Sequence, residues 1–395
     1  MTDTTAFSLS TEYVTGVIAG RVGFISLTRP KALNALDLGM VDSITACLSA
    51  WRDDPTVLAV VIRGSDKNGP FGHFCAGGDI RFFHQAALAN DDTLETFFTN
   101  EYALNHLIHT YPKPYIAFMD GVVMGGGMGI AQGASLRVVT PQSKVAMPET
   151  NIGLFPDVGG GFFLSRTPGH IGEYLGLTGE AITAGDAIAA GLADICVERS
   201  RLATLWQELQ DTPFESSEAV ERWVQGKASP TPLPELFKDR TQLDAVFGLP
   251  TVADMEAALV DMQGTQSTPS QQSTDGSETT DTAPSKANAW AAHTLAVLRA
   301  RSPLMMHVVL EQLRKAKAMT LAEDLRMERD MVYQCFHWRA GTDSETVEGI
   351  RALAVDKDHQ PRWNPSRIDG VTPDMVQAFF KSPWSAEQHP LAHLS

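Results

Sequence analysis

The chain has 395 residues, which predicts two or three domains of about 100 to 200 residues each, and 43% of them are hydrophobic, which is ample for a packed core. The formal net charge of -16 argues against nucleic-acid binding, because a phosphate backbone needs a basic protein face. No segment approaches the roughly 20 consecutive apolar residues of a membrane span, and the N-terminus lacks the basic start and apolar core of a signal sequence, so we expect a cytoplasmic protein without a membrane partner.

Strands and helices alternate over the first half of the chain. The run at 57–62 has no polar alternation, which is typical of a strand buried on both faces of a parallel sheet. The predicted elements in chain order are strands at 13–18 and 22–27, a helix capped by Asp37, a strand at 57–62, a helix at 97–108, strands at 115–119 and 136–140, a helix from Thr183 to Gly191, and a strand at 192–197. This alternation predicts an α/β domain over residues 10–200.

The second region, residues 201–395, is predicted to be mainly helical. Apolar residues at helical spacing predict helices over 289–299, 305–317 and 321–338. Residues 263–286 are instead dominated by Gln, Ser, Thr and Asp and have almost nothing to bury, which predicts a flexible surface insert.

Several common functional motifs are excluded by their spacing. The G-x-G-x-x-G fingerprint fails because its third glycine would fall on Ile130 or Gln132, and there is no G-x-x-x-x-G-K-[ST] phosphate loop. The sequence also lacks H-E-x-x-H and G-x-S-x-G, and its four cysteines show no C-x-x-C spacing. We therefore expect neither a metal site nor a nucleotide cofactor.

Two glycine clusters bracket two acidic residues. The first cluster, 125–127, precedes Glu149 and Asp157, and the second, 159–161, follows them. Glycines allow a close approach of the backbone to a ligand and leave N–H groups free at a helix start, while the two acids supply acid/base groups. This combination indicates acyl chemistry without a metal.

These segments resemble the crotonase (enoyl-CoA hydratase/isomerase) superfamily, whose members bind acyl-coenzyme A thioesters. The resemblance is carried by R-P-K-A-L-N-A-L at 29–36, C-A-G-G-D-I-R at 75–81, M-G-G-G at 124–127, A-M-P-E-T at 146–150, G-L-F-P-D-V-G-G-G at 153–161 and E-G-I-R-A-L at 348–353. It covers most of the chain but is poor from about 201 to 289. It implies a crotonase-like spiral of repeated ββα units with a C-terminal helical region.

Within the superfamily the blocks are most similar to those of β-hydroxyacyl-CoA hydrolases. The resemblance implies an acyl-CoA thioester hydrolase that converts 3-hydroxyisobutyryl-CoA to 3-hydroxyisobutyrate and coenzyme A, a step of valine breakdown. Coenzyme A is then part of the substrate, and no separate cofactor is expected. Assembly into a homo-oligomer is also compatible with the resemblance, although the sequence offers no clean interface stripe.

The resemblance assigns the reacting groups. The backbone amides of Gly78 and Gly126 are expected to form an oxyanion hole, the pair of N–H donors that stabilises a negatively charged carbonyl oxygen. Glu149 is expected to act as a general base on water or as a nucleophile, and both routes stay open. Asp157 is expected to position water or the substrate hydroxyl, and it could also serve as the N-cap of a helix beginning near Val158.

Other residues are expected to bind substrate or to support the site. Glu101, in an E-Y-x-L pattern on the helix at 97–108, is either a solvated charge or a carboxylate at the substrate. Gly77 and Lys31 are predicted substrate contacts, and Lys31 could form a cationic rim with Arg29 and Arg81 for a polyanionic ligand. Asp79 is expected to orient the oxyanion loop through backbone hydrogen bonds.

One position distinguishes hydrolysis from hydration. Hydratases of the superfamily resemble each other in carrying a second glutamate three positions beyond the middle glycine of the cluster, and here that position is Gly129. Adding water to a double bond requires an acid and a base, so the absence of the second glutamate favours thioester cleavage. The alternatives are an enoyl-CoA hydratase or isomerase that uses Glu149 alone, and a non-catalytic acyl-CoA-binding protein.

Overall fold

The computed structural model describes residues 9–67, 69–238, 240–264 and 286–395. Eight strands lie within these ranges: β1 Val14–Ala19, β2 Val22–Leu27, β3 Ala59–Gly64, β4 Tyr115–Met119, β5 Val122–Met124, β6 Leu136–Val139, β7 Lys144–Ala146 and β8 Ile195–Cys196. Six of them form one sheet in the order β1-β2-β3-β4-β6-β8, and β5 pairs with β7 in a second sheet. Only the β1–β2 hairpin is antiparallel, since all other pairings are parallel.

Sixteen α-helices lie within the described ranges. They are α1 Leu38–Arg52, α2 Ile80–Ala89, α3 Thr93–His109, α4 Gly126–Gln132, α5 Gly160–Leu164, α6 Ile171–Thr178, α7 Ala184–Ala189, α8 Leu202–Asp211, α9 Ser217–Gln225, α10 Thr241–Phe247, α11 Val252–Gly264, α12 Lys286–Ala300, α13 Pro303–Ala316, α14 Leu321–His337, α15 Glu345–Ile350 and α16 Pro373–Ala378. Short 3-10 turns include Pro30–Ala32 and Glu149–Ile152, and a π-helical turn spans Arg351–Val355. None of the described helices has the length and apolar character needed to cross a membrane.

The main sheet is buried on both faces, as the apolar run in β3 predicts. Val60 and Ile62 point into a large core cluster shared with α1, α3 and the C-terminal helices α13 and α14. Ala59 and Val61 point to the opposite face, which is covered by α8 and α9. Because successive side chains of a strand alternate between faces, a strand covered on both sides must be apolar throughout. The α/β architecture and the buried parallel strand are therefore confirmed.

Local sequence patterns correctly predicted where two of the helices begin. The Asp37 side chain accepts a hydrogen bond from the Met40 amide at the start of α1, and Thr183 caps α7 in the same way through the Asp186 amide. The predicted strand at 192–197 is shorter than expected, because only Ile195 and Cys196 pair with β6.

The insert predicted at 263–286 falls largely outside the described residues. Its edges do not match the prediction, because Gln263 and Gly264 end α11 and Lys286 begins α12. The division of the chain at residue 201 stays a prediction, and the core cluster contains side chains from both halves.

Candidate active site

A cavity of about 210 Å³ lies where the loop after β3, the β5–α4 junction and the Glu149–Ile152 turn meet. Its polar wall consists of four glycines and three carboxyl groups: Gly77, Gly78, Gly125, Gly126, Glu101, Glu149 and Asp157. Its apolar wall includes Ile80, Phe83, Ile152, Leu154 and Leu353. The structure therefore brings together the predicted oxyanion glycines and all three predicted site acids.

The two glycine segments are held side by side by backbone pairing. The Met124 amide donates to the Cys75 carbonyl at 3.0 Å, and the Asp79 amide donates to the Leu36 carbonyl at 2.9 Å. A Cβ atom built on Gly126 would lie 3.3 Å from the Gly78 nitrogen, so the two predicted donor residues are neighbours in space. Within the described chain, neither of their amides donates to a backbone carbonyl, and Gly126 is the first residue of α4, where helical N–H groups have no partner within the helix. Both donors are thus left for another acceptor.

Backbone conformation and space require glycine in this wall. Gly77 and Gly125 have φ angles of +105° and +50°, which side chains of L-residues rarely allow. A Cβ on Gly78 would meet the Phe83 ring at 2.5 Å, and a Cβ on Gly126 would meet Glu101 Oε1 at 2.5 Å. A side chain at either position would intrude on the cavity.

Glu149 is the first residue of the Glu149–Ile152 turn, and only 5% of it is exposed. Its Oε2 is buried without a hydrogen-bond partner among the described residues, and its Oε1 lies 2.8 Å from the position of a Cβ on Gly125. Burial raises the pKa of Glu149 well above its usual range, and the nearby Asp157 and Glu101 carboxyl groups raise it further. The acid is thus poised in the cavity with an oxygen free to bind a ligand or water.

Asp157 faces the same cavity and accepts a 2.8 Å hydrogen bond from the Tyr102 hydroxyl. Burial raises the pKa of Asp157 to about 6, while the bond from Tyr102 acts in the opposite direction. The predicted N-cap role is wrong, because α5 begins at Gly160 with Gly159 as its N-cap. The side chain of Asp157 binds the Tyr102 hydroxyl and does not cap the helix. Between the acid and the helix, Val158 has a φ of +56°, a strained conformation for a β-branched residue.

Glu101 is buried on α3, with 2% of its surface exposed, so it is not a solvated charge. Its Oε1 has no hydrogen-bond partner among the described residues. Burial raises the pKa of Glu101 well above its usual range, with a further contribution from Asp157. The structure places Glu101 in the cavity wall, and its contact with substrate stays a prediction.

The supporting residues lie partly at the site and partly outside it. Asp79 caps α2 through the Phe82 amide and pairs with Arg29 at 2.7 Å, and its role in orienting the predicted oxyanion loop stays a prediction. Lys31 is exposed on the Pro30–Ala32 turn and does not line the cavity. Arg81 lines a separate open groove beside α2. The binding of a polyanionic ligand by these three cations stays a prediction.

Gly129 leaves no room for a second hydratase-type glutamate. A Cβ at this position would lie 2.6 Å from Val158 Cβ and 2.8 Å from Asn105 Nδ2. Asn105 is fully buried, so it cannot move into solvent to make space. The position carries a glycine, and the packing around it leaves no space for a glutamate side chain.

Sequence reasoning missed four polar residues around the Asp157 loop. Tyr102 is not among the predicted site residues, yet its hydroxyl donates a hydrogen bond to Asp157. Gln312, Asp324 and Glu328 are fully buried on α13 and α14 and contact residues 156–162. The signal that could have found them is the presence of polar residues among the apolar positions of two predicted core helices. The described residues include no group of three His, Cys, Asp or Glu side chains arranged to hold a metal ion.

Known proteins with similar sequence or structure identify the family of the chain. The sequence profile of the enoyl-CoA hydratase/isomerase family matches residues 22–380. A curated relative from Xenopus tropicalis, named "3-hydroxyisobutyryl-CoA hydrolase, mitochondrial", is 37% identical over 366 residues, which cover 92% of this chain and 87% of the relative. Two solved structures are similar over 94% of this chain. One is a carnitinyl-CoA dehydratase from Mycobacterium thermoresistibile, with a TM-score of 0.79, 33% sequence identity and 97% of its own chain covered. The other is an enoyl-CoA hydratase from Rhodobacter sphaeroides 2.4.1, with a TM-score of 0.78, 34% sequence identity and 98% of its own chain covered. The predicted crotonase-like fold is confirmed, and the chain belongs to the enoyl-CoA hydratase/isomerase family.

Proposed function

We propose that the chain hydrolyses a β-hydroxyacyl-CoA thioester, with 3-hydroxyisobutyryl-CoA as the substrate and 3-hydroxyisobutyrate and coenzyme A as products. The observation that carries this proposal is the meeting of two unengaged backbone amides, Gly78 and Gly126, with the buried Glu149 in one cavity. The curated relative's name supports the same reaction. The reaction would belong to valine breakdown, and coenzyme A would enter as part of the substrate.

The two amides stabilise the charge that develops on the thioester oxygen. Attack at the carbonyl carbon converts that oxygen into an oxyanion, which two N–H groups fixed beforehand can bind without reorganisation. Each such donor is worth on the order of 3 kcal/mol in comparable sites. The apolar wall of Ile80, Phe83 and Leu353 excludes water and strengthens these hydrogen bonds.

Glu149 activates the attack in one of two ways. As a general base it takes a proton from water, and its raised pKa makes its carboxylate a stronger base near neutral pH. As a nucleophile its oxygen bonds to the carbonyl carbon while the carbon–sulfur bond breaks, and water then hydrolyses the resulting anhydride. Single turnover in ¹⁸O-labelled water tests the nucleophilic route, because attack of water at the Glu149 carbonyl of the anhydride leaves label in the protein. Label in the acid product alone fits both routes, because water can also attack the substrate carbonyl of the anhydride. Trapping of an acyl-enzyme with hydroxylamine then separates them, since only the nucleophilic route forms one.

Asp157 supports the attack from the same wall. Because three carboxyl groups share a poorly solvated cavity, they cannot all be ionised at once, and protons are shared among them. The Tyr102 hydroxyl favours ionised Asp157. We assign to Asp157 the positioning of water or of the substrate hydroxyl, and to Glu101 a contact with the acyl group.

A hydratase is the second candidate, because the similar solved structures are described as a dehydratase and a hydratase. Glu101 also supplies a second buried carboxyl group beside Glu149. Against it stands the closed space at Gly129. A hydratase would consume the enoyl absorbance of crotonyl-CoA without releasing thiol.

The test measures free thiol with 3-hydroxyisobutyryl-CoA and, in parallel, enoyl absorbance with crotonyl-CoA. We expect thiol release by the wild type, its loss in Glu149→Gln, and its retention in Asp186→Asn. Asp186 is a matched control, since it is a buried carboxylate on α7 that does not line the cavity. Thiol release that is equal in the wild type and Glu149→Gln would contradict the proposal. Binding of coenzyme A with no turnover of either thioester would favour a non-catalytic acyl-CoA-binding protein.

Location and assembly are further parts of the proposal. We propose a cytoplasmic enzyme, whereas the Xenopus relative is named as mitochondrial. Fractionation of the native cells tests this directly, and recovery from an organelle matrix would contradict it. Light scattering on the purified protein measures whether the chain forms a homo-oligomer.

A further inference from the structure

The proposed reaction leaves unused a buried acidic pair on α14. Asp324 and Glu328 are one helical turn apart, and neither has any exposed surface. Neither carboxylate forms an ion pair within the described residues. Burying two carboxyl groups without a cation is costly, so their other contacts must compensate.

Those contacts are a hydrogen bond between the two carboxyl groups and three backbone amides of the segment that follows Asp157. Glu328 accepts from the Gly159 amide at 2.7 Å through Oε2 and from the Gly161 amide at 2.9 Å through Oε1. Asp324 accepts from the Phe162 amide at 2.8 Å. The pair thus satisfies the free N–H groups at the start of α5, which has no side-chain cap of its own.

The segment is held on the other side of Asp157 as well. The side-chain amide of Gln312, on α13, donates to the Pro156 carbonyl at 2.7 Å and to Glu328 Oε1 at 3.1 Å. Pro156 and Gly159 bracket Asp157 and the strained Val158, so both ends of the four-residue turn are tied to buried side chains of the C-terminal helices. A strained conformation persists where its surroundings over-determine it.

We propose that Glu328 is a positioning residue: together with Gln312 and Asp324 it holds the Pro156–Phe162 segment so that Asp157 stays against Tyr102 and faces the cavity. This inference rests on the proposed hydrolase function, because its effect on rate requires that Asp157 positions water or the substrate hydroxyl. The separation of 171 positions between Asp157 and Glu328 explains why no local motif predicts the connection.

The substitution Glu328→Gln tests the proposal with minimal change in shape. Glutamine keeps one acceptor oxygen, but its NH₂ group cannot accept a hydrogen bond, so the Gly159 or Gly161 amide loses its partner. We expect kcat for thiol release to fall by roughly 10- to 100-fold, since displacements near 1 Å at a reacting group cost about this much. KM should stay unchanged where Asp157 positions water, and it should rise where Asp157 holds the substrate hydroxyl.

Asp186→Asn is the control for loss of a buried carboxylate away from the cavity. Asp186 accepts the Leu236 and Phe237 amides through Oδ1 and the Thr183 hydroxyl through Oδ2, and asparagine loses the second acceptor. It should lower the unfolding temperature and leave kcat unchanged. If Glu328→Gln likewise loses only stability, its role is structural and the proposal is overturned. Should Glu328→Gln fail to fold, Gln312→Met removes the anchor on Pro156, and it should lower kcat in the same way, with an unchanged kcat overturning the proposal.

A crystal structure of the variant keeps the inference separate from the proposed function. The wild-type distance between the Tyr102 hydroxyl and Asp157 Oδ2 is 2.8 Å. We expect that hydrogen bond to be broken in Glu328→Gln, and an unchanged bond overturns the proposal. A wild type that releases no thiol refutes the hydrolase function, and the Tyr102–Asp157 geometry then decides the positioning role by itself.

Discussion

Replacing Gly126 with alanine should block the proposed oxyanion hole without unfolding the protein. The new Cβ would lie 2.5 Å from Glu101 Oε1 and 3.3 Å from the Gly78 nitrogen, between the two proposed donors. The thioester oxygen must occupy that space to bind both amides. Losing one donor costs about 2.7 to 4 kcal/mol, or roughly 10²- to 10³-fold in kcat.

Stability should change little in the same variant. Gly126 is the first residue of α4 and its φ is not positive, so alanine fits the backbone. Alanine in a helix is more favourable than glycine by about 1 kcal/mol, which offsets part of the cost of moving the Glu101 carboxyl group.

The assay compares kcat for thiol release and the thermal midpoint with those of Gly226→Ala. A Cβ on Gly226 meets no atom closer than 3.4 Å, and Gly226 does not line the cavity, so this control should behave as the wild type. A folded Gly126→Ala enzyme with wild-type kcat would refute the reasoning, because the oxyanion could then not lie between these amides.

Three further changes test other parts of the site. Glu149→Gln should lower kcat by roughly 10²- to 10⁴-fold, because the base or nucleophile is lost. Circular dichroism should show that the variant keeps the native fold. A kcat near that of the wild type would rule out both roles. Gly129→Glu should not create a hydratase. It should lower the free energy of unfolding by at least about 1 to 3 kcal/mol, the usual cost of overpacking, because the new Cβ meets Val158 at 2.6 Å. Urea unfolding measures this loss of stability, and a gain of crotonyl-CoA hydration would contradict the prediction. Tyr102→Phe removes a hydrogen bond that favours ionised Asp157, so the pKa of Asp157 should rise above about 6. The acidic limb of the pH profile of kcat/KM should therefore move to higher pH. An unchanged acidic limb would show that the ionisation of Asp157 does not control the rate.

The predictions made from the sequence succeeded where the signal was local. Asp37 and Thr183 cap their helices because an N-cap depends on the next three residues. The apolar run in β3 correctly predicted a strand covered on both faces, because this pattern is also contained in a few consecutive residues. The three-residue strands β5 and β7 were not predicted, since so short a segment shows no period, yet β5 positions both glycine loops of the site.

The structural details of the site could not be predicted because they depend on distant parts of the chain. Motif order identified Glu149, Asp157, Gly78 and Gly126, and the structure places them around one cavity. The side chain of Asp157 faces that cavity and binds Tyr102, which is 55 positions away in the sequence and beyond the reach of a local pattern. Lys31 lies on an exposed turn outside the cavity, and its contact with the substrate stays a prediction.

The central claim is that two backbone amides bind one thioester oxygen beside Glu149. A crystal structure of Glu149→Gln soaked with 3-hydroxyisobutyryl-CoA tests it directly, because the variant should hold the substrate without cleaving it. We predict the carbonyl oxygen at about 2.7 to 3.1 Å from the nitrogens of both Gly78 and Gly126. An acyl group bound outside the cavity, or a carbonyl turned away from either amide, would contradict the account.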